Sequence, residues 1–365
     1  MAPFAALRTV AVATSLAALL LTTGQGKAQP QARPATPFAE QVAALSESEG
    51  YFDTDNLISN ESSYLSVVPD IDRAAFKGGA YIGVGPDQNF SYIAAARPSI
   101  AFIIDVRRDN LLLQLLFKAL FSLARTRVEY LSMLCGRPAP AELELWKGRT
   151  IQDLAAYVDG APALDRAAVD AMRGRVTAKM QTFGVALSAD DLQTVDRFHR
   201  RFIDSGLELR FQSLGRAPQL HYPTYKQLLV QDDGKGRQRN FLASEDAFQF
   251  VKGLQTKDLI VPVVGNLSGA GAMAAIGRWL REHNERLSVF YASNVEFYLF
   301  REGTFARFVD NLSRIPHGER ALLVRSVFGG GGGYGGGSFS VTQSVPELLE
   351  GYAKGRYHEY WELTR

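Results

Sequence analysis

Two glycines and an aspartate have the spacing of a nucleotide-binding turn. Gly83 and Gly85 end an apolar stretch, AYIGVG, and Asp105 ends a second one, IAFIID. Glycines at a strand-to-helix turn let a ligand approach the backbone, and the following helix offers free N–H groups. A carboxylate at the end of the next strand can accept hydrogen bonds from both hydroxyls of a ribose. These residues predict a site for an adenosine-containing ligand; the alternative is a tight turn, with Asp105 capping the helix near Asn110.

The third glycine position bears on which nucleotide this is. A nicotinamide-binding turn normally has the pattern G-x-G-x-x-G, whose last glycine packs the helix against the strand. GVGPDQ has Gln88 at that position. Gln88 therefore argues against an NAD site, but NAD remains one of the possible ligands.

Polar residues after two later stretches predict further contacts to the ligand. Glu245 and Asp246 follow a predicted strand at 240–243, and Asn266 follows a predicted strand at 259–264. Ligands of doubly wound sheets bind outside the carboxyl ends of the strands, so we expect these side chains at the same edge as the glycine turn. An equally supported alternative for the two acids is the first turn of a capped helix.

The elements that must position these residues alternate between strand and helix. Further strands are predicted at 80–84, 100–105, 287–292 and 321–327, with an antiparallel strand at 338–343. Helices are predicted at 89–97, 110–134, 245–254, 271–283 and 303–314, with a short one at 64–68 that ends at Pro69. Buried strands that alternate with helices form parallel sheets. The sequence predicts an α/β fold, a doubly wound and mostly parallel sheet with a C-terminal β-hairpin.

Five segments organise the chain. They are a signal peptide (1–28), a linker with a short helix (29–50), the first half of the core (51–137), a mainly helical insertion or cap (138–239) and the second half of the core (240–365). The glycine run at 329–337, broken only by Tyr334, predicts a mobile hairpin loop.

The first residues have the pattern of a secretory signal peptide. MAPFAALR has one basic side chain, and the apolar run TVAVATSLAALLLTT is followed by small and polar residues. The run is shorter than the roughly 20 residues that span a bilayer. We expect an exported protein, periplasmic or secreted, cleaved near Ala28 and without a membrane span after processing.

Charge and cysteine content exclude several classes. The chain has 40 basic and 38 acidic residues with no block of like charge, which argues against a nucleic-acid partner. Its one cysteine, Cys135, allows no internal disulfide. The five histidines show no paired ligand spacing, so no metal site is predicted.

Taken together, these stretches resemble a known fold family. Strand–GVGPDQN–helix, strand–Asp105, strand–Glu245/Asp246 and strand–GNLSG, closed by a hairpin, resemble the class I S-adenosylmethionine-dependent methyltransferases. DNLISNESSYLSVV, GGAYIGVGPDQNFSYIAAARP and AFIIDVRRDNLLLQLLFKALF are similar, more narrowly, to a family of uncharacterised bacterial proteins with that core. The resemblance covers 51–135 strongly and 240–345 loosely. The helical insertion lies outside the general methyltransferase pattern.

The resemblance implies S-adenosylmethionine as a cofactor and a first set of residues that bind it. Gly83, Gly85 and Asp87 would line its methionine and ribose parts, in the turn that also contains Asn89. Asp105 would accept the ribose hydroxyls.

A second set would complete the pocket. Glu245 or Asp246 would approach the adenine, with Asn266 on the same rim, and Asn60 and Glu61 would close over the ligand as a lid. GNLSG replaces the N/D-P-P-Y run that positions an amine in one methyltransferase subclass, so amine methylation is not implied.

Three functions remain open at this point. One is an exported methyltransferase that acts on an unknown substrate. The second is an exported, non-catalytic binding protein on a degenerate methyltransferase fold, and the third is an NAD-dependent oxidoreductase. The catalytic residues are unknown: Glu61, His221 and Tyr222 are candidates for a general base, with a structural role as the alternative for each.

Overall fold

A mostly parallel sheet forms the centre of the computed structural model, which describes residues 36–216, 219–328 and 337–364. Its strands are β1 (Ala80–Val84), β2 (Ile100–Asp105), β3 (Ile260–Val264), β4 (Leu287–Ser293), β5 (His317–Phe328) and β6 (Ser338–Ser344). The spatial order is β3-β2-β1-β4-β5-β6, with only β6 antiparallel to its neighbour. The α/β, mostly parallel fold with a C-terminal hairpin is confirmed.

The strand order reverses at β1, because β2 lies on one side of it and β4 on the other. The crevice at the carboxyl ends of β1 and β4 is therefore the topological switch point, where open α/β sheets bind ligands. Every residue of β1 and β3 is buried, as are all residues of β2 except Asp105. Their continuous apolar sequences reflect helices on both faces of the sheet.

Fifteen helices of the described residues surround the sheet. They are α1 (Pro37–Leu45), α2 (Val68–Ala74), α3 (Gln88–Ala96), α4 (Arg108–Leu123), α5 (Arg127–Leu134), α6 (Leu143–Trp146), α7 (Ile151–Gly160), α8 (Arg166–Gln181), α9 (Ala189–Ser205), α10 (Tyr225–Val230), α11 (Glu245–Thr256), α12 (Ala272–Glu282), α13 (Val295–Arg301), α14 (Phe305–Ser313) and α15 (Val345–Ala353). Short 3₁₀ helices lie at Tyr64–Val67, Gly206–Glu208 and Tyr360–Thr364. The helices α6–α10 occupy the sequence range predicted as a helical insertion, and α8 and α9 pack on α4.

Two helix predictions are corrected. The single helix expected at 110–134 is divided into α4 and α5, because Thr126 has an extended backbone and its hydroxyl accepts a hydrogen bond from Glu129 N (3.4 Å), which starts a new helix. Pro69 lies in the first turn of α2. A missing N–H costs nothing at that position, so the proline begins a helix instead of ending one.

The strand predicted at 240–243 is wrong. These residues form a turn in which Asn240 Oδ1 accepts a hydrogen bond from Leu242 N (2.8 Å). Asparagine side chains compete in this way with regular backbone pairing. The strand that follows β2 in the sequence is therefore β3. The two neighbours of β1 in the sheet are β2 and β4.

Two parts of the sequence predictions lie outside the described residues: the signal peptide and the glycine run at 329–336. Among the helices that the structure describes, none is both long and apolar enough to cross a membrane.

Candidate functional site

The turn between β1 and α3 is built around Asn89. Its Nδ2 donates to Val84 O (2.9 Å) and to Pro86 O (2.7 Å), and its Oδ1 accepts from Tyr81 Oη (2.7 Å). A Cβ on Gly83 would lie 2.0 Å from Asn89 Oδ1. Gly83 and Asn89 therefore hold the turn in shape and leave no room for a ligand at their own positions.

Gly85 is the glycine that faces the switch point. Its φ of +84° lies in the left-handed region, and the nearest atoms to a Cβ placed there would be Asn56 Nδ2 (3.4 Å) and Gln88 Nε2 (3.5 Å). Asn56 (φ +44°) and Ser293 (φ +52°) at the end of β4 are also left-handed. Such backbone costs on the order of 1 kcal/mol at a non-glycine residue and is typical of ligand sites.

Glu61 lies at the carboxyl ends of β4 and β5. It is 1% exposed, and its carboxylate accepts hydrogen bonds from the hydroxyls of Tyr291 (2.6 Å), Ser326 (2.6 Å) and Ser293. Burial raises the pKa of Glu61, and the three hydroxyls lower it in part. The predicted lid residue is thus fixed in the core of the switch point, whereas its neighbour Asn60 is partly exposed.

Asp87 joins the glycine turn to the helical insertion. Its Oδ2 accepts a hydrogen bond from Tyr225 Oη of α10 (2.6 Å), and the residue is 4% exposed. Burial raises the pKa of Asp87 to about 6, although the Tyr225 hydroxyl opposes this shift. The insertion therefore contributes a side chain that contacts the glycine turn.

Asp105 is bound by the arginine two residues after it. Its Oδ1 accepts from Arg107 N (2.9 Å) and Nε (3.1 Å), and its Oδ2 accepts from Arg107 Nη2 (2.8 Å). Arg107 Nη1 donates to Thr54 O (2.9 Å). Burial opposes the charge of Arg107, but Asp105 beside it raises the pKa of the guanidinium above its usual value. Asp105 thus fixes its own loop and the segment that contains Thr54.

Glu245 and Asp246 are not brought to this site. They lie in the first turn of α11, which Ser244 caps by accepting a hydrogen bond from Ala247 N (3.1 Å). Asp246 pairs with Arg97, the residue that ends α3 before β2 begins. Both acids therefore lie towards the amino ends of the strands, and capping accounts for their residue types.

Asn266 lies at the right end of a strand but at the outer edge of the sheet, after β3. Its Oδ1 accepts from Ser268 N (2.9 Å), and the backbone N–H groups of its loop bind Glu47. Glu47 accepts from Asn266 N (2.7 Å), Gly271 N (2.8 Å) and Ala272 N (3.1 Å). The position beside β1 at this edge is occupied by Ser293 at the end of β4, and GNLSG lies beyond β2.

His221 and Tyr222 precede α10, in a loop over residues 219–224. His221 is exposed, and its ring lies 4.4 Å from that of Tyr222, which also contacts Phe211 at 5.2 Å. Neither side chain contacts Glu61 among the described contacts.

Several buried side-chain polar atoms at Thr54, in α3 and in α4 have no described partner, and the sequence reasoning missed them. Gln114 Nε2 donates to Gly85 O (3.1 Å), but Gln114 Oε1 has no described partner. Neither amide atom of Asn110, one helical turn earlier on the same face of α4, has a described partner either. Thr54 Oγ1 and Gln88 Oε1 are likewise buried and unpaired. The sequence signal was polar residues spaced by four, at 110, 114 and 118, in an otherwise apolar helix.

Comparison with known proteins identifies a family whose function is unknown. Residues 56–186 and 205–343 match the model of a family described as a domain of unknown function (DUF7790). No curated protein matches the chain significantly. The matched ranges include Glu61, the glycine turn, α4 and the end of β4, so the switch point lies within the family's domain.

Proposed function

The chain belongs to the DUF7790 family of unknown function, and on the basis of its own side chains we propose that it binds S-adenosylmethionine or a related adenosine ligand at the switch point. The observation that carries this proposal is the group of unpaired polar atoms around Gly85. More than nine in ten buried polar groups in folded proteins have a partner. Gln114 donates to the carbonyl of Gly85, Gln88 follows Gly85 by three residues, and Asn110 lies one helical turn before Gln114. A ligand that supplies the missing hydrogen bonds would account for these unpaired side chains.

The fit to a ribose depends on Asp105 and Asn110. A carboxylate oxygen can accept two hydrogen bonds. Oδ1 of Asp105 already accepts two from Arg107, and Oδ2 accepts one. Asp105 can therefore accept one ribose hydroxyl, not the two that the sequence suggested. The side-chain amide of Asn110, which lies in the first turn of α4 and has no described partner, is suited to bind the other hydroxyl.

When bound, S-adenosylmethionine would supply an electrophilic methyl group on a sulfonium. The residues of the chain would then bind, orient and exclude water. Gly85 offers its backbone, and Gln88 and Gln114 offer free amide oxygens. The segment that precedes α2 covers the site through Asn56 at Gly85 and Thr54 at Arg107.

One observation favours the second candidate, a non-catalytic binding protein. Glu61 is the only predicted general base at the switch point, and it is sealed in the core by three hydroxyl donors. A base must reach the proton that it removes. In this conformation Glu61 cannot, so methyl transfer requires either a movement of the covering segment or a substrate that needs no base.

The proposal can be tested by isothermal titration of the purified protein with S-adenosylmethionine, S-adenosylhomocysteine, adenosine and NAD. The informative variant is Asn110→Leu. Because its amide atoms make no hydrogen bond within the described structure, leucine should leave the melting temperature unchanged or raise it. Affinity should fall at least about tenfold, the equivalent of roughly 1.4 kcal/mol.

The matched control is Gln255→Met. Gln255 is also buried with an unpaired Oε1, but it lies in the last turn of α11, where its backbone binds Lys118. This variant should bind the ligand as the wild type does. The proposal is wrong if the wild type binds none of the adenosine ligands, and NAD binding alone would favour the oxidoreductase.

Export stays a separate proposal that rests on the N-terminal sequence pattern. If residues 1 to about 28 are removed during secretion, N-terminal sequencing of protein from the cell envelope or medium will find a start near Ala28. Recovery of functional protein with Met1 intact would contradict export by this route.

A further inference from the structure

A cavity of about 260 Å³ lies at the outer edge of the sheet, where β3 ends at Val264. At the density of liquid water this volume holds roughly nine water molecules, which suits one small organic molecule. Gly85, Asn110 and Gln114 are not among its lining residues, and neither is Asp105. The cavity is therefore built from residues other than those assigned to the adenosine ligand.

Most of the lining is apolar. Ala39 and Ala43 lie one helical turn apart on the same face of α1. The other apolar residues belong to α1, α4, the loop after α8 and β3, and they are Val42, Leu111, Val185, Ala186 and Val264. Ala43 is exposed, so the cavity opens to solvent beside α1. Such walls favour a ligand with an apolar side chain.

Two opposite charges at the cavity have unused hydrogen-bonding capacity. Arg108 has five N–H donors. Three of them bind Asp191 and Ala186 O, which leaves the two on Nη1 without a described partner. Glu49 is exposed, and no ion pair is described for it. The hydrogen bonds to Asp191 raise the pKa of Arg108, burial opposes this shift, and the nearby charges of Asp191 and Glu49 add to the rise. Glu49 is thus close to Arg108 without pairing with it.

The remaining polar residues of the lining differ in what they can still bind. Ser46 Oγ accepts a hydrogen bond from Val264 N (3.1 Å), but its own hydroxyl hydrogen has no described acceptor. The carboxylate of Glu47 is already bound by three backbone N–H groups within residues 266–272. The free groups are therefore donors at Arg108 and Ser46 and an acceptor at Glu49.

We propose that the cavity binds a free α-amino acid with an apolar side chain, whose carboxylate lies at Arg108 and Ser46 and whose ammonium group lies at Glu49. An α-amino acid carries both charges on one carbon, so it can bridge two residues that do not pair with each other. A residue within a peptide chain lacks both charges. The cavity has room for a side chain such as that of leucine. The inference goes beyond the adenosine site and does not require that site to be functional.

Calorimetric titration with L-leucine tests the site, beside three analogues that each lack one feature. Isocaproate lacks the amine, isoamylamine lacks the carboxylate, and glycine lacks the side chain. The wild type should bind leucine saturably at millimolar concentration and each analogue more weakly. Glu49→Gln should weaken leucine binding severalfold without weakening that of isocaproate, which has no ammonium group for Glu49. The matched control is Glu40→Gln, which removes an exposed acid of α1 outside the cavity and should change neither affinity.

A second pair of variants tests the location. Ala43→Phe fills the cavity from an exposed position of α1, so it should leave the melting temperature nearly unchanged and weaken leucine binding at least about tenfold. Ala44→Phe places the same side chain at an exposed position outside the lining and should bind leucine as the wild type does.

Three results would overturn the proposal: no saturable binding of leucine to the wild type, an analogue that binds as tightly as leucine, or equal leucine affinities in Ala43→Phe and Ala44→Phe. These substitutions change no residue of the adenosine site. An adenosine titration of the same samples therefore reports separately on that site, and failure of one proposal is distinguishable from failure of the other.

Discussion

Asp105 and Arg107 form an ion pair at the carboxyl end of β2, and this pair limits how far Asp105 is free to bind a ligand. Both side chains are nearly buried, at 10% and 8% exposed, and Arg107 also donates to Thr54 O. A free aspartate at this position would serve only a ligand, and its removal would leave folding stability unchanged. The pair gives Asp105 a structural role as well, since its removal leaves a buried guanidinium without its counter-ion.

We therefore predict that Asp105→Ala destabilises the fold by about 3–5 kcal/mol, the usual cost of removing one partner from a buried pair. Urea unfolding measures this loss. The control is Asp246→Ala, which removes an exposed pair with Arg97 and should cost about 0–1 kcal/mol. If Asp105→Ala costs no more than the control, Arg107 is hydrated in solution and Asp105 is free for a ligand. For this reason Asn110→Leu tests ligand binding more cleanly than any change at Asp105.

At the scale of elements, the sequence predicted the bounds of a strand or helix well where glycine or proline lies at the end of the apolar stretch. β1 lies between glycines, and α3 ends before Pro98, so both were predicted nearly to the residue. The division between α4 and α5 was missed because apolar periodicity runs through it. The informative signal was local: Thr126 and Glu129 have the spacing of a helix N-cap and the residue whose N–H it binds.

The structure places only some of the predicted site residues together at the carboxyl edge of the sheet. Residues 240–243 form no strand. Because that strand was wrongly predicted, Glu245 and Asp246 were expected at the carboxyl end of the sheet, whereas they lie in the first turn of α11, towards the amino ends of the strands. The contact between Glu47 and the loop of Asn266 joins residues 219 positions apart. No local pattern predicts such a contact. The contact between Asp87 and Tyr225 likewise depends on where α10 packs, and the sequence alone does not give that position.

At the scale of the molecule, the helical insertion is joined to the core at several points. Ala35–Arg365 forms one compact unit. Arg108 of α4 forms a two-bond pair with Asp191 of α9 (2.8 and 2.9 Å), and Tyr225 bonds Asp87. A cap that opened as a rigid body would have to break these contacts. The insertion should therefore behave as part of the core.

This arrangement predicts that the insertion and the sheet unfold together. Trp146 lies in α6 of the insertion, and Trp279 of α12 packs against Phe102 of β2 with ring centroids 5.4 Å apart. Trp361 is the third tryptophan of the chain. One variant, Trp279→Phe/Trp361→Phe, keeps only the insertion probe, and Trp146→Phe/Trp361→Phe keeps only the core probe. In urea, fluorescence of each variant should change at the same midpoint as its far-ultraviolet circular dichroism, as coincident probes do in a two-state transition. Each variant's dichroism midpoint also controls for the effect of the substitutions on stability. A Trp146 signal that changes well before the dichroism of the same variant would show an independently unfolding cap and would contradict the prediction.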